Sequence, residues 1–281
     1  MAIINNMAIL TIAIPFYNAE RFLNLAIESV ISQSFPDWNL ILIDDGSTDT
    51  SLSIAKKYEF ADKRIKVLSD GKNKNLAIRL NEVAAIVNTK YLARMDADDI
   101  MHVDRLKKQV DILERFPSID VLGTNSYSIN EFSKVTGIRI GWIESAEIVS
   151  VKRFIHPTIM AKTLWFKENP YDPKAVRVED IELWIRCNKK YNFMCISTPL
   201  FFYREFGDKY YKKYFKGIKS INYILKKHNF SISIIFFAIR YILSCIRSYL
   251  YYISNKEELM ISKRNDIIFD SAEEIKNFNK I

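Results

Sequence analysis

Three short segments carry side chains able to hold a base, a diphosphate or a cation: Pro15-Phe16-Tyr17-Asn18, Asp44-Asp45-Gly46-Ser47 and Asp96-Ala97-Asp98-Asp99. Each follows an apolar run that reads as a strand. Carboxylates gathered at neighbouring strand ends repel one another unless a cation or hydrogen-bond donors relieve them. Oxygen-only ligands suit Mg²⁺ or Mn²⁺, ions that also bind diphosphates. Taken alone, Asp44–Asp49 reads equally well as a solvated turn with a helix N-cap. Asp96–Asp99 alone reads as an acidic loop. Acidic segments at two strand ends, with Pro-Phe-Tyr-Asn at a third, form a far more specific combination.

The elements that must position these residues are visible in the hydrophobic pattern. Strands are expected at Ile9–Ile14, Leu40–Ile43, Ile65–Leu68 and Tyr91–Met95. Helices are expected between them, at Ala19–Gln33, Thr48–Tyr58 and Leu76–Val87. This alternation predicts an α/β fold with a mixed, mostly parallel sheet covered by helices on both faces. In such sheets ligands bind outside the carboxyl ends of the strands. A helix at about Val103–Phe116 precedes strand-like runs at Ile119–Gly123, Val135–Ile140 and Phe154–Met160. A helix near Asp180–Tyr191 follows, then strands at Met194–Ile196 and Phe201–Arg204.

Composition narrows the class. Of the 281 residues 49% are hydrophobic and 26% charged, the balance of a folded globular chain. Cys187, Cys195 and Cys245 are odd in number and lack CxxC spacing, which argues against a disulfide framework or zinc site. No basic-then-apolar leader precedes Ala8–Ile14, so a cytoplasmic location is expected. The net charge of +8 is uneven: residues 205–264 hold 12 Lys+Arg against 4 Asp+Glu, whereas residues 1–204 hold 27 against 25. A local basic excess of this kind points away from nucleic acid as partner.

At this point the chain resembles a known family. IPFYNAERFLNLAIESVISQSFPDWNLILIDDGSTDTS and YLARMDADDIMHVDRLKKQ are similar to the nucleotide-binding half of family 2 inverting glycosyltransferases with the GT-A fold. HPTIMAK and VEDIELWIR resemble the acceptor half, and the likeness runs over roughly residues 8–204. Bacterial enzymes of O-antigen and capsule assembly are the nearest in appearance. The resemblance implies a catalytic domain at 1–204, with a nucleotide-sugar half to about residue 100 and an acceptor half beyond it.

It also implies roles. Tyr17 and Pro15 line a uracil pocket, and Asp45, with Asp44 as the alternative, accepts a hydrogen bond from the base. Asp96 meets the ribose and metal-bound diphosphate, and Asp98 ligates Mn²⁺ or Mg²⁺, with Asp99 in support. Asp180 is the base that takes the acceptor proton, with Glu179 as substitute. His156, Trp184 and Arg204 are candidate acceptor or phosphate contacts, each with a structural alternative. The donor implied is a UDP-sugar and the acceptor a glycan. Where the family often has a Gly-rich stretch, this chain has Asn73-Lys74-Asn75-Leu76, a departure that leaves phosphate contacts by Lys72 or Lys74 open. A nucleotidyltransferase remains one rival reading and a non-catalytic protein of the same fold another.

Residues 205–281 read as a basic, aromatic helical extension. From Asn229 to Ile253, 18 of 25 residues are apolar, but Arg240 and Arg247 interrupt the run. Each such Arg costs about 2.5–3.5 kcal/mol at mid-bilayer on insertion scales, which disfavours a span. Arg240, Ser244, Arg247 and Ser248, extended by Ser233, form one polar stripe at helical spacing. The expectation is a helix lying in the interface of an anionic membrane, with Lys209, Lys212, Lys213, Lys216, Lys219, Lys226 and Lys227 attracting lipid. That places the chain peripherally on the inner face of the cell membrane and suits a lipid-linked acceptor. Packing on the catalytic domain or in a dimer is the alternative.

Overall fold

The structure, a computed structural model, describes residues 8–140, 155–187, 190–207 and 209–269. Its first half alternates strands and helices: β1 (Leu10–Phe16), α1 (Leu23–Ile31), β2 (Trp38–Asp44), α2 (Ser51–Ala61), β3 (Ile65–Leu68), α3 (Leu76–Ile86) and β4 (Tyr91–Arg94). β3, β2, β1 and β4 are neighbours and all parallel. Every residue of β1 and β2 is buried, as strands covered on both faces require. Alternate side chains part to opposite faces. Leu10, Ile12 and Ile14 join Leu23, Ile27 and Val30 of α1, while Ala13, Ile41 and Ile43 join Leu80 and Val83 of α3.

The second half contains β5 (Ile100–Met101), α4 (Arg105–Arg115), β6 (Val121–Ile129), β7 (Val135–Arg139), β8 (Met160–Lys162), α5 (Thr163–Glu168), α6 (Glu179–Cys187) and β9 (Phe193–Arg204). β8 lies antiparallel between β4 and β6, so β6 runs in the same direction as β4. β9 is parallel to β6. The carboxyl ends of β1, β2, β4, β6 and β9 therefore share one edge of the sheet.

Two expectations change here. The strand expected over Phe154–Met160 is a 3-10 turn at His156–Thr158 followed by β8, and Phe154 lies outside the described residues. Pro157 has no N–H to give a ladder, which moves the strand past it. The two strands expected at Met194–Ile196 and Phe201–Arg204 are one strand, β9, with irregular register between them.

Beyond β9 lie α7 (Tyr211–Lys216), α8 (Ile218–Lys227), α9 (Ile232–Ile253), α10 (Glu257–Ser262) and β10 (Ile267–Ile268), and β10 pairs with β7. This region packs on the approach to α6: Ile221, Ile224, Ile234 and Ala238 form one buried cluster with Ala175 and Val178. Gly217 sits where a Cβ would strike the Tyr241 hydroxyl, so its missing side chain lets α9 close on the α7–α8 junction.

α9 has three faces rather than two. Ile234, Ala238, Cys245 and Ser248 face the body and are buried. Ser248, expected in the polar stripe, is turned inward and donates to the Cys245 carbonyl at 2.8 Å. Arg240 and Arg247 stay exposed. Between the Arg stripe and the body lies a third, apolar face: Ile235, Phe236, Ile239, Ile242, Leu243 and Ile246 are all exposed. The helix is long and apolar enough to cross a membrane by length and composition, with a mean hydropathy of 1.4 over Ile234–Ile253.

Candidate active site

Strands β2 and β4 flank β1, so the ends carrying Asp44-Asp45 and Asp96 lie about two strand spacings apart, roughly 10 Å. Pro15 is buried in β1 and Tyr17 projects beyond it, half exposed. Gly46 turns the chain after β2 with φ +76°, and a Cβ there would meet the Lys72 backbone at 2.8 Å. That close approach brings the segment before α3 over Asp45.

Both Asp44 and Asp45 are buried and built into hydrogen-bond networks. Asp44 accepts from Ser47 N at 2.9 Å and Ser69 Oγ at 2.8 Å. Asp45 accepts from Lys74 N at 2.7 Å, Asn75 N at 3.1 Å and Arg79 Nε at 2.9 Å. Arg79 is almost wholly buried and also pairs with Asp70 and Glu82. Burial works against its charge, and the bonds to Asp70, Asp45 and Glu82 outweigh it. Arg79 escaped sequence reading because it stands inside a helical pattern with nothing local to mark it. Lys74 spends its ammonium on Asp70 and Glu82, at 2.6 and 2.7 Å.

Asp96, Asp98 and Asp99 offer carboxylate oxygens that all lie within 4.8 Å of one another. Burial in the recess, then the Asp96 charge, push Asp98 up to about 6, although its side chain still reaches solvent. Burial and the same neighbours raise Asp99 well above the usual carboxylate range. Asp99 is held at one oxygen by Arg204 N at 2.7 Å, while its Oδ2 is buried without a partner. Three crowded hard-oxygen donors, one of them short of a partner, fit a divalent cation.

Two arginines organise this cluster. Arg94, fully enclosed at the end of β4, pairs with Asp96 and donates to His156 Nδ1 at 2.7 Å. Burial opposes its charge, but Asp96, Asp99 and Glu179 raise its pKa overall. Since Arg donates to Nδ1, that nitrogen is the acceptor, and Nε2–H donates to Tyr171 Oη at 2.7 Å. Burial, with Arg94 beside it, holds His156 well below its usual range and neutral. Both ring nitrogens are thus engaged by protein. The direct acceptor or phosphate contact expected for His156 gives way to a supporting role behind Arg94.

Arg204 is likewise a scaffold. It donates to the Asp98 carbonyl at 2.7 Å, the Asn130 carbonyl at 2.7 Å and Ser133 Oγ at 2.9 Å, and stacks over Phe22 at 4.2 Å. Its guanidinium is committed to locking the Asp98 loop, not offered to phosphate. Trp184 is buried against Trp165 and His156, a core position rather than an acceptor platform.

Glu179 and Asp180 open α6. Burial, then Asp180, raise Glu179 to about 7; burial also raises Asp180, against the bond it accepts from Ile181 N at 2.8 Å. Both feel Arg94, and Asp180 feels the Asp96 charge, so the second carboxylate pair faces the first across that arginine. Lys213 of α7, read from sequence as part of a lipid-facing patch, also lies in the field of Asp98; burial lowers its pKa and Asp98 raises it.

Comparison with known proteins agrees with this geometry. The family model for glycosyl transferase family 2 matches residues 11–185, and the chain belongs to that family. EpsE of Bacillus subtilis (strain 168), named as a glycosyltransferase, is 39% identical over 183 residues, covering 63% of this chain and 65% of EpsE. WfgD of Escherichia coli, a UDP-Glc:alpha-D-GlcNAc-diphosphoundecaprenol beta-1,3-glucosyltransferase, is 26% identical over 198 residues, 67% of this chain and 73% of WfgD. Among solved structures, S. aureus TarS 1-349 in complex with UDP superposes with a TM-score of 0.61 at 19% identity, over 75% of this chain and 65% of that one. That likeness places the fold as the GT-A type expected, with C-terminal helices added. The chain thus spans about two thirds of EpsE and of the TarS fragment.

Proposed function

We propose that this chain transfers a hexose or N-acetylhexosamine from a UDP-sugar, with inversion, to a hydroxyl of a lipid-linked glycan. The observation that carries the reading is the Asp96–Asp98–Asp99 cluster at the shared strand edge, two strands from the Asp44–Asp45 turn. UDP bound to TarS and the UDP-Glc in the name of WfgD support the donor class.

Tyr17 offers an exposed ring for the uracil, above Pro15, and Asp45 or Asp44 takes a hydrogen bond from the base. Asp98 and Asp96 would hold Mn²⁺ or Mg²⁺, which neutralises charge on the departing nucleoside diphosphate. Arg94 keeps Asp96 oriented when metal is absent and sets the charge balance toward α6. Asp180, near the start of α6, takes the proton from the attacking hydroxyl, and the raised pKa brings it closer to working pH. Glu179 is the substitute. The exposed apolar face of α9, bordered by Arg240 and Arg247, supports seating on the anionic inner face of the cell membrane, where a lipid-linked acceptor is met. The diphosphoundecaprenol acceptor in the name of WfgD supports that acceptor class.

The test is a screen of UDP-sugars with Mn²⁺ or Mg²⁺ for thermal stabilisation and slow hydrolysis. One sugar is expected to respond, and Asp98→Ala to lower its hydrolysis by about 10²–10³-fold, the usual cost of losing an electrostatic partner of the leaving charge. If no UDP-sugar raises the melting temperature in the presence of metal, the reading is wrong.

A further inference from the structure

A concavity lies on the same strand edge, lined by none of the residues assigned above to the donor. It encloses about 830 Å³ and is lined by Asn130, Phe132, Glu205, Phe206, Tyr252 and Glu258, among others. Its near wall is the carboxyl ends of β6 and β9, and its far wall is the end of α9 with α10. Because β6 runs with β4, the groove opens on the edge that carries Asp96 and Asp98. Arg204 joins the two places: its guanidinium reaches the Asp98 carbonyl and the Asn130 carbonyl, each at 2.7 Å. The groove begins one side chain away from the proposed metal site.

Its lining is ordered before any ligand arrives. Phe132, 78% exposed, crowns the β6–β7 turn. That turn is fixed from within by Asn130 Oδ1, which accepts from Phe132 N and Lys134 N at 3.0 Å each. It is fixed from behind by Arg204 on Ser133 Oγ at 2.9 Å. A large apolar ring held in water on a rigid turn gains nothing for the fold. Opposite it, Glu257 is oriented by Lys209 N and Tyr210 N at 3.0 and 2.8 Å. Glu205 is 6% exposed; its Oε1 accepts from Tyr210 Oη at 2.8 Å and meets Arg264 at 3.1 Å, while Oε2 is buried without a partner.

We propose that this groove is a subsite for the sugars of the acceptor chain that follow the reacting one. The proposal rests on the transfer reaction argued above. Aromatic faces cover the apolar C–H face of a pyranose, and fixed carboxylates and amides accept and donate to its hydroxyls, so the mixed lining suits a neutral glycan. The volume falls in the range of small-molecule sites. Anionic lipid is disfavoured by Glu131 and Glu205 on the near wall and Glu257 and Glu258 on the far one.

Saturation-transfer NMR on the full chain, with Mn²⁺ and UDP present, tests it using cellotetraose, chitotetraose and mannotetraose as probes and tetralysine as a charged competitor. At least one tetrasaccharide is expected to receive saturation. The signal should fall at least tenfold in Phe132→Ala and severalfold in Glu258→Gln, both exposed positions, while Phe60→Ala on the far helix α2 retains it. UDP-induced stabilisation is measured on the same samples. If UDP stabilises the protein but no tetrasaccharide is seen, or the signal survives Phe132→Ala, or tetralysine displaces it, the groove proposal fails and the transfer reading stands. If UDP itself does not bind, the failure belongs to that reading.

Discussion

The strand edge and the outer face of α9 break opposite rules of partition. At the edge, Asp44, Asp45, Asp99, Arg79, Arg94 and Arg204 are ionisable groups nine-tenths or more buried. On α9, Ile239, Ile242, Leu243 and Ile246 are apolar side chains left about half exposed. Buried charge is costly and survives here because each arginine has several partners. Exposed apolar surface costs less in the fold but is rare as a contiguous face on a soluble monomer. The two regions differ in what the fold depends on. The edge is woven into the core, whereas the outer face of α9 can change without the body noticing.

Arg94→Ala should separate the two regions most strongly. It leaves His156 Nδ1 buried without its donor and Asp96, about a third exposed, without its pair, a loss of about 1–3 kcal/mol. A chain of this size then loses several degrees in melting temperature, about 2–4 °C per kcal/mol. Chemical denaturation of the purified variant gives the value. A loss below about 1 kcal/mol would mean that Arg94 is not the organiser of the edge.

The matching change on α9 is Ile239→Glu with Leu243→Glu. Surface substitutions of this kind move stability by about 0.5 kcal/mol or less each. Binding to vesicles of phosphatidylglycerol and phosphatidylethanolamine should nevertheless drop by about 10²-fold or more, since each buried apolar side chain contributes about 1.5–3 kcal/mol. Co-sedimentation measures it. If instead the variant unfolds or changes oligomeric state with no change in vesicle binding, the face is packed against protein and the contrast collapses.

Much of the edge was legible in the sequence because its backbone follows simple periods. β3 was expected at Ile65–Leu68 and occurs there, and Asp96–Asp99 follows β4 as the apolar run required. What escaped were partners fixed only by tertiary contact. Arg79 reaches Asp45 from 34 residues away, and Arg94 and His156 meet across 62. No spacing rule reports such pairs. The two faces of α9 were confused for a related reason: a helical wheel sorts polar from apolar but cannot tell an apolar stripe that meets Val178 from one that meets water. For His156, Trp184 and Arg204 the contacts made in the fold favour the structural alternative of each: His156 between Arg94 and Tyr171, Trp184 in the core, and Arg204 on the Asp98 and Asn130 carbonyls.

The smallest effect expected is in the pH dependence of the metal-free protein, and its sign is fixed by which groups still hold protons. Glu179 is raised to about 7 and Asp99 lies well above its ordinary value, so in the fold both keep protons that the unfolded chain has already lost. A raised carboxyl supports the folded state fully at low pH and loses that support as pH rises through its folded value. Up to about pH 7.5 this trend is opposed by His102 and His156, both held below the histidine value of 6.5, whose charging in the unfolded chain favours unfolding. The depressed carboxyls, Asp172 at about 2 among them, finish titrating far lower. Between about pH 6.5 and pH 8 the histidine opposition fades as the unfolded imidazoles lose their last protons, and the raised carboxyls, Asp99 foremost, outweigh it. The melting temperature should fall across that window by about 2–4 °C, about 1 kcal/mol once solvent screening of the half-buried Glu179 is allowed for. Adding Mn²⁺ should remove much of the fall, since a cation stabilises the ionised cluster, and Asp98→Asn should abolish the Mn²⁺ effect while Ile239→Glu leaves it untouched. A melting temperature that climbs from pH 6.5 to 8 without metal would mean that the carboxylates at this edge are not crowded in solution, and the contrast with α9 would lose its electrostatic half.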